Sequence, residues 1–278
     1  MRHRAERLRS QIDQAGQSPL LMVGVHHAAA ARLAMAAGFD ACWVSSLEVS
    51  TAMGLADQNL IGSAEMGAVA YRIGLAADLP VIVDADNGYG SAPAMRRAAR
   101  ELAALDIAGM CVEDSRFPKR NSFDPDHDGE LVDPAEFAAR LGETRQMLGD
   151  SPFILMARTE ALIAGHSVDQ AIERAIGYAE VGADLIVVHS KDPSGEQAVQ
   201  VAKSWPLETP LVSIPTAFPQ LPPEELGMLG YRVVIYANQL LRASVAGMRR
   251  TLELLRVGRA AALEGEIAPM ADLLRLSQ

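Results

Sequence analysis

Cysteine is scarce in this chain, which has only Cys42 and Cys111 among its 278 residues. Each lies inside a short apolar run that is typical of a buried strand, so both are expected to be reduced, hydrophobic side chains rather than halves of a disulfide. No apolar run approaches the ~20 residues that a membrane span needs. The start, MRHRAERLRSQIDQ, predicts a charged helix and not a signal peptide. We therefore expect a soluble, cytoplasmic protein without a membrane partner.

Basic residues are also in deficit, with 25 Lys and Arg against 35 Asp and Glu and a formal net charge of −10. They are scattered along the chain and form no stripe, which argues against a nucleic-acid partner. An acidic protein that binds a small anion must build a local positive field from a metal ion, a few Arg or Lys side chains and backbone N–H groups. That requirement directs attention to clusters of such groups.

Eight short apolar runs, rich in Val, Ile and Leu, alternate with segments of helical periodicity. The runs cover residues 20–25, 42–46, 81–84, 109–113, 154–158, 185–189, 211–214 and 233–236. Continuous runs are typical of strands buried on both faces, and their alternation with helices indicates a parallel sheet. The sequence therefore predicts an α/β fold, a (β/α)8 TIM-type barrel, as one domain over residues 1–278. A doubly wound open sheet is the alternative.

The helical segments between the runs cover residues 28–37, 64–75, 92–105, 134–148, 168–181 and 195–204. A helical extension over residues 240–278 follows the last strand, with a long helix at 240–255, a break at Gly258 and a further helix at 269–276. This extension exceeds what a barrel needs. Because an extra apolar helix must cover something, another copy of the chain is a reasonable partner.

Polar residues close several of the predicted strands, and in a parallel barrel the active site lies at the carboxyl ends of the strands. In chain order the strand-end residues are Ser45, Ser46, the apolar Leu47, Asp84, Asp86, Glu113, Arg158 and His189. The carboxylates of Asp84, Asp86 and Glu113 are the hard oxygen ligands that Mg²⁺ selects. The alternative is that one or two of them are helix caps or salt-bridge partners.

Arg158 and His189 are candidate substrate-binding residues. A planar guanidinium at the barrel mouth can bind a carboxylate or phosphoryl group through two hydrogen bonds, and an imidazole can donate to substrate oxygens. For Arg158 the alternative is a salt bridge to Glu160 or Glu113, and for His189 it is a structural role.

Six segments carry a family resemblance: CWVSSLEVSTAMGLADQN, PVIVDADNGYG, GMCVEDSRFPKRNS, ILMARTEALIAG, ADLIVVHSK and VVIYANQLLRAS. In order and at compatible spacing they resemble the signature segments of the phosphoenolpyruvate mutase family, within the phosphoenolpyruvate mutase/isocitrate lyase superfamily. The similarity runs over most of the chain. Its most specific part is the E-D-x-x-F-P-K-x-N-S loop.

The resemblance implies roles for the strand-end residues. A Mg²⁺ ion, with Mn²⁺ as an alternative, would be held directly by Asp86 and through waters by Asp84 and Glu113. Ser45 and the backbone amides of Ser46 and Leu47 would bind the carboxylate and oxo end of a small-molecule substrate, with Arg158 and His189 on its carboxylate or phosphoryl oxygens.

The resemblance also implies roles for a loop and for the C-terminal helix. Asp57 would stand near the migrating phosphoryl group, and Lys119, Asn121 and Ser122 would lie on a mobile loop that closes over it. The extra C-terminal helix would be exchanged between neighbouring barrels, giving a homo-oligomer that is a dimer of helix-swapped dimers.

The loop distinguishes the subfamilies. Lyases of the superfamily carry a K-K/R-C-G-H loop whose Cys protonates a carbanion, whereas this chain has Lys119-Arg120-Asn121-Ser122. A C–C lyase of the isocitrate or methylisocitrate lyase type is therefore disfavoured, and interconversion of phosphoenolpyruvate and phosphonopyruvate is the expected activity. A phosphonopyruvate hydrolase is the alternative, because Phe123 replaces an expected leucine and Arg120 a smaller residue. A non-catalytic barrel is a third hypothesis, at odds with so many retained polar residues.

Overall fold

The computed structural model describes residues 3–124 and 129–277. Eight parallel strands pair in chain order, and β1 also pairs with β8, so the sheet closes into a barrel. The strands are β1 Leu20–Gly24, β2 Ala41–Val44, β3 Val81–Asp84, β4 Gly109–Glu113, β5 Ile154–Thr159, β6 Leu185–Val188, β7 Leu211–Ser213 and β8 Tyr231–Tyr236. The predicted (β/α)8 barrel is confirmed, and the open sheet is wrong.

Helices follow the strands around the outside of the barrel. They are α1 His3–Gln14, α2 Ala28–Ala36, α3 Ser46–Ala52, α4 Ser63–Ala76, α5 Ala92–Ala104, α6 Pro134–Leu148, α7 Val168–Glu180, α8 Glu196–Ser204, α9 Pro223–Leu229, α10 Gln239–Arg256 and α11 Met270–Ser277, with a 3-10 turn at Ala260–Ala262. Asp133 caps α6, whose first residue is Pro134, as proline at a helix start favours.

Two short helices, α3 and α9, were not predicted. β2 ends at Val44 and not at residue 46, because the Ser45 side chain accepts a hydrogen bond from the Glu48 backbone N–H and so caps α3. α9 begins at Pro223, directly after its N-cap Pro222, in a region that shows no helical periodicity. Both differences lie in segments too short for a periodic pattern to develop.

Helix α1 closes one end of the barrel. Leu8 and Ile12 are buried in a cluster with strand residues such as Met22 and Ile154. Arg9 Nε donates to the Pro152 carbonyl, 2.6 Å away, directly before β5 begins. The helix therefore covers the amino ends of the strands, and the carboxyl ends remain available for a site.

The long C-terminal helix α10 is mostly exposed. In α10 only Leu241 is buried, and the end of α11 is tied to α2 because Arg32 donates to the Leu276 carbonyl. Contacts between α11 and α2 hold this end of the chain beside the barrel. None of the described helices has the length and apolar character that crossing a membrane would require.

Candidate active site

A cavity opens at the carboxyl ends of the strands and contains about 520 Å³ of empty space, part of it open to solvent. All the site residues predicted from the sequence line it except Asp86, which is buried beside it. The lining residues that were predicted are Ser45, Ser46, Leu47, Asp57, Asp84, Glu113, Lys119, Asn121, Ser122, Arg158 and His189. The fold thus brings together residues from five strand ends and from the segment after β4.

The Lys119 side chain lies among the carboxylates. Its Nζ atom is 2.5 Å from Asp86 Oδ1, 3.0 Å from Asp57 Oδ1 and 2.8 Å from Ser46 Oγ. Ser46 Oγ in turn donates to Asp84 Oδ2 at 3.1 Å. Burial would lower the pKa of Lys119, but the attraction of Asp86, Asp84 and Asp57 outweighs burial and raises it well above its ordinary value. The side chain is therefore a fixed positive charge.

Asn59, which the sequence did not identify, joins the loop to the carboxylates. Its Nδ2 donates to Asp86 Oδ2 at 3.0 Å, and its Oδ1 accepts from the Lys119 backbone N–H at 2.6 Å. Asn59 and Asp86 both have positive φ angles, 58° and 50°, which non-glycine residues adopt rarely. Such strain is typical of functional sites. A sequence does not reveal these positive φ angles, so it gave no signal for the role of Asn59.

Two carboxyl groups of this site, Asp86 and Glu113, have raised pKa values. Burial raises the pKa of Asp86 to about 6; the Lys119 ammonium opposes the rise, and Asp84 and Asp57 add to it. Burial likewise raises the pKa of Glu113 to about 8, with Arg158 opposing and Glu160 adding to the rise. Close, buried carboxylates of this kind favour a nearby cation.

The donor atoms fit a hard divalent cation. Asp86 Oδ1 is buried and, apart from its ion pair with Lys119, has no hydrogen-bond partner among the described residues. Its neighbours Asp84 and Glu113 supply further carboxylate oxygens, which suit Mg²⁺. Within 3–124 and 129–277 no three His, Cys, Asp or Glu side chains form a ready ligand set, so the metal-binding role of the trio stays a prediction.

Arg158, His189 and Ser122 meet at one carboxylate. Glu160 Oε1 accepts from Arg158 Nε and lies 2.8 Å from His189 Nδ1, while Glu160 Oε2 accepts from Ser122 Oγ at 2.6 Å. Arg158 Nε is also 3.5 Å from Glu113 Oε2. The two hypotheses for Arg158 are thus compatible, because the guanidinium lines the cavity and forms salt bridges to both glutamates.

The segment from Lys119 to Phe123 forms the remaining wall. Asn121 Nδ2 donates to Asp57 Oδ2 at 2.8 Å, and Asn121 Oδ1 accepts from the Phe123 backbone N–H. The Phe123 ring packs edge-on against His189, with 6.3 Å between ring centroids. Neither Cys42 nor Cys111 lines the cavity; both are buried and free.

Fold and site together define a class of protein: a (β/α)8 barrel enzyme whose mouth balances buried carboxylates against fixed cations around a space for a small anion. The family model described as phosphoenolpyruvate phosphomutase matches residues 8–256 of this chain. The chain therefore belongs to that family and is an enzyme of the phosphoenolpyruvate mutase/isocitrate lyase superfamily.

Individual relatives agree. The chain is 35% identical over 257 residues to a phosphoenolpyruvate phosphomutase of Streptomyces hygroscopicus. The aligned residues cover 92% of this chain and 82% of that protein. A crystal structure of the phosphoenolpyruvate phosphomutase from Streptomyces platensis subsp. rosaceus superimposes with a TM-score of 0.95 at 38% identity, covering 99% of this chain and 95% of the other. A phosphonopyruvate hydrolase crystallised with oxalate and Mg²⁺ superimposes with a TM-score of 0.90 at 29% identity, covering 99% and 94%.

Proposed function

We propose that this enzyme interconverts phosphoenolpyruvate and phosphonopyruvate in a Mg²⁺-dependent reaction. The observation that carries the proposal is the composition of the cavity wall. Lys119, Asn121 and Ser122 face the cavity, and within the described residues no cysteine does. Similarity to phosphoenolpyruvate phosphomutases over most of the chain supports the same activity.

The chemistry needs no proton donor. In the isomerisation the C–P bond of phosphonopyruvate breaks and a P–O bond to the enolate oxygen forms, so no proton is gained or lost. A C–C lyase must protonate a carbanion. Cys42 and Cys111 are not placed to serve that purpose, because both are buried outside the cavity.

The oxo acid would be held at the strand ends. Arg158, a buried guanidinium, offers donors to a carboxylate or phosphoryl group, and Ser45, Ser46 and Leu47 line the same cavity. A Mg²⁺ ion held by Asp86, Asp84 and Glu113 would stabilise the negative charge of the pyruvate enolate. The hydrolase relative crystallised with oxalate and Mg²⁺ supports such an arrangement.

The transferring phosphoryl group would face the side chains of the segment that follows β4. Lys119 supplies positive charge, and Asn121 and Ser122 supply neutral hydrogen bonds to a metaphosphate-like group. Asp57 orients Asn121 by accepting from its Nδ2 atom. Phe123 packs on His189 at the cavity wall, and a segment that stays closed there would keep out water, which would otherwise capture the phosphoryl group.

A phosphonopyruvate hydrolase is the second candidate. Phe123 is 49% exposed and forms the edge of the cavity rather than its cover, which leaves a route for water. A hydrolase would release pyruvate and phosphate from the same substrate. The similarity to a phosphonopyruvate hydrolase of known structure supports this alternative.

The two activities are separated by ³¹P NMR. The protein is incubated with phosphonopyruvate and Mg²⁺, and parallel samples contain excess chelator or no protein. We expect a phosphoenolpyruvate resonance that needs both protein and Mg²⁺. Inorganic phosphate in place of that resonance would assign the hydrolase, and an unchanged phosphonopyruvate spectrum would exclude both.

A further inference from the structure

Glu160 lies at the centre of the substrate-binding groups, although its carboxylate does not itself line the cavity. It follows β5 directly and is 1% exposed. Burial would raise its pKa, but Arg158 and His189 outweigh burial and hold the pKa well below the usual range. The side chain is therefore an anion, and its two oxygens act only as acceptors.

The two oxygens face different parts of the molecule. Oε1 faces the barrel and contacts Arg158 Nε and His189 Nδ1, whereas Oε2 accepts from Ser122 Oγ, which belongs to the segment after β4. Ser122 Oγ also accepts from Arg158 Nη2 at 3.0 Å. Ser122 is thus connected to the barrel by a closed set of hydrogen bonds.

His189 depends on the same carboxylate for its orientation. Its Nδ1 atom lies 2.8 Å from both Glu160 Oε1 and Arg158 Nη2. The ring can donate to the first or accept from the second, and either arrangement fixes the ring plane and directs Nε2 away from the pair. Removal of the carboxylate would free the ring to rotate.

The backbone of Glu160 is held by a hydrogen bond to Asp114. Its backbone N–H donates to Asp114 Oδ1 at 2.8 Å, and Asp114 is completely buried. Asp114 Oδ2 accepts from Thr159 Oγ1 and from the Tyr178 hydroxyl, each at 2.8 Å. Asp114 follows Glu113, so this support connects the ends of β4 and β5.

We propose that Glu160 is a positioning residue that fixes Arg158 and His189 and anchors residues 119–124 over the cavity through Ser122. The catalytic consequence of this proposal rests on the proposed function. The anchoring of residues 119–124 is independent of that function. Loss of the anchor should loosen residues 119–124 and let water reach the phosphoryl group. Arg158 and His189 would then bind the substrate in less defined positions.

Proteolysis measures the anchoring without substrate. Arg120 is exposed and lies two residues before Ser122, so trypsin cleavage after Arg120 reports how often this segment leaves the barrel. E160Q keeps the shape of the side chain but loses one of its two acceptors, and S122A removes the hydroxyl. We expect each to accelerate this cleavage about tenfold, the effect of one lost hydrogen bond to a charged group. The double variant should be cut no faster than the faster single variant, since the two substitutions remove the same interaction.

E136Q on α6 is the matched control, because Glu136 is exposed and does not line the cavity. It should be cleaved like the native protein. Circular dichroism and thermal unfolding establish that each variant is folded. If E160Q does not fold, the cleavage rate of S122A tests the anchoring. Cleavage of S122A at the control rate, or additive effects in the double variant, would overturn the proposal.

The catalytic arm uses the ³¹P assay. We expect E160Q and S122A to lose about 100-fold in kcat while KM rises much less, and to release a larger share of phosphate relative to isomer. A native protein that forms no phosphoenolpyruvate would remove the proposed function and leave the proteolysis result to decide the anchoring. An unchanged product ratio and kcat in both variants of an active enzyme would overturn the positioning role.

Discussion

The Lys119 ammonium lies within 3.0 Å of oxygen atoms from Asp57, Asp86 and Ser46 and is 6% exposed. It neutralises carboxylates that the sequence predicts to hold Mg²⁺. A buried ammonium and a divalent cation therefore compete for the charge of Asp86 in the absence of substrate. Their competition makes the metal-binding prediction testable without any catalytic assay.

Replacement of Lys119 by Met should reveal that competition. Without Mg²⁺ the free energy of unfolding should fall by about 3 kcal/mol, because removal of one partner leaves buried charges uncompensated. Mg²⁺ should bind more tightly to K119M than to the native protein and raise its Tm by more. Titration calorimetry and thermal unfolding with and without Mg²⁺ measure both effects.

Lys203 on α8 is exposed, and K203M is the control for loss of a positive charge. It should bind Mg²⁺ and unfold like the native protein. Equal Mg²⁺-dependent shifts in Tm for K119M and K203M would contradict the assignment of this cluster as the metal site.

His27 gives a pH dependence that lies outside the active site. Its Nδ1 atom accepts from the Ala30 backbone N–H at 3.0 Å and so caps α2, a role that only the neutral ring can fill. Burial and, after it, the neighbouring His26 lower the pKa of His27 from its ordinary value of 6.5. Since the folded pKa is below the unfolded one, the contribution of the cap is complete above pH 6.5 and is lost as the pH falls below that value.

We expect H27N, which keeps an acceptor at the cap, to flatten the fall in the free energy of unfolding below pH 6.5. H27A should lose about 1 kcal/mol above that pH and also show a flatter profile. Urea unfolding at a series of pH values checks both. An acid profile in H27N as steep as in the native protein would show that other groups cause it.

Individual site residues differed in how far the sequence could reveal them. Asp84, Arg158 and His189 close apolar strands, and topology alone brings such positions to one end of a parallel barrel. Asn59 lies in a loop with no periodic signal, and its two hydrogen bonds reach residues far along the chain. Glu160 was foreseen only as a partner of Arg158, because its contacts with Ser122 and His189 depend on how separate loops meet.

At the scale of elements, buried strands were the easiest to predict. A run such as that of β4 is apolar on both faces and has no amphipathic alternative, so its bounds agree with the prediction. α3 escaped prediction because its N-cap Ser45 and its first residue Ser46 directly follow the apolar strand, and only the hydrogen bond from the Glu48 backbone N–H to Ser45 marks the change to a helix. The position of α1 under the barrel could not be predicted, because amphipathicity does not say which surface a helix covers.

The role of α1 leads to a stability prediction. Leu8 is fully buried in the cluster at the amino ends of the strands. L8A should lower the free energy of unfolding by about 2–5 kcal/mol, since it leaves a cavity in a packed core. KM at 25 °C should stay unchanged, because the cavity lies at the opposite end of the barrel. L75A is the control, since Leu75 on α4 is 65% exposed, and it should change stability little. Urea unfolding measures both, and equal losses would contradict the assigned position of α1.

At the scale of the whole molecule, the C-terminal helices present an apolar surface that the barrel does not cover. Met248, Leu252 and Leu255 lie on one face of α10, and Leu252 is 65% exposed. α11 adds Met270 and Leu274, both more than half exposed. Such a surface is unfavourable in water and is typical of contacts between subunits. The homo-oligomer expected from the sequence would cover it.

The oligomer is tested by light scattering on a size-exclusion column. One chain has a mass of 29.7 kDa, and we expect the protein to have the mass of two or more chains. The double substitution M248E/L252E should shift the mass towards that of one chain, because two carboxylates would have to be buried in the contact. M228E on α9 is the control, since Met228 is equally exposed but lies on another helix. A native mass of one chain at every concentration would contradict the prediction, and dissociation by M228E alone would move the contact from α10 to α9.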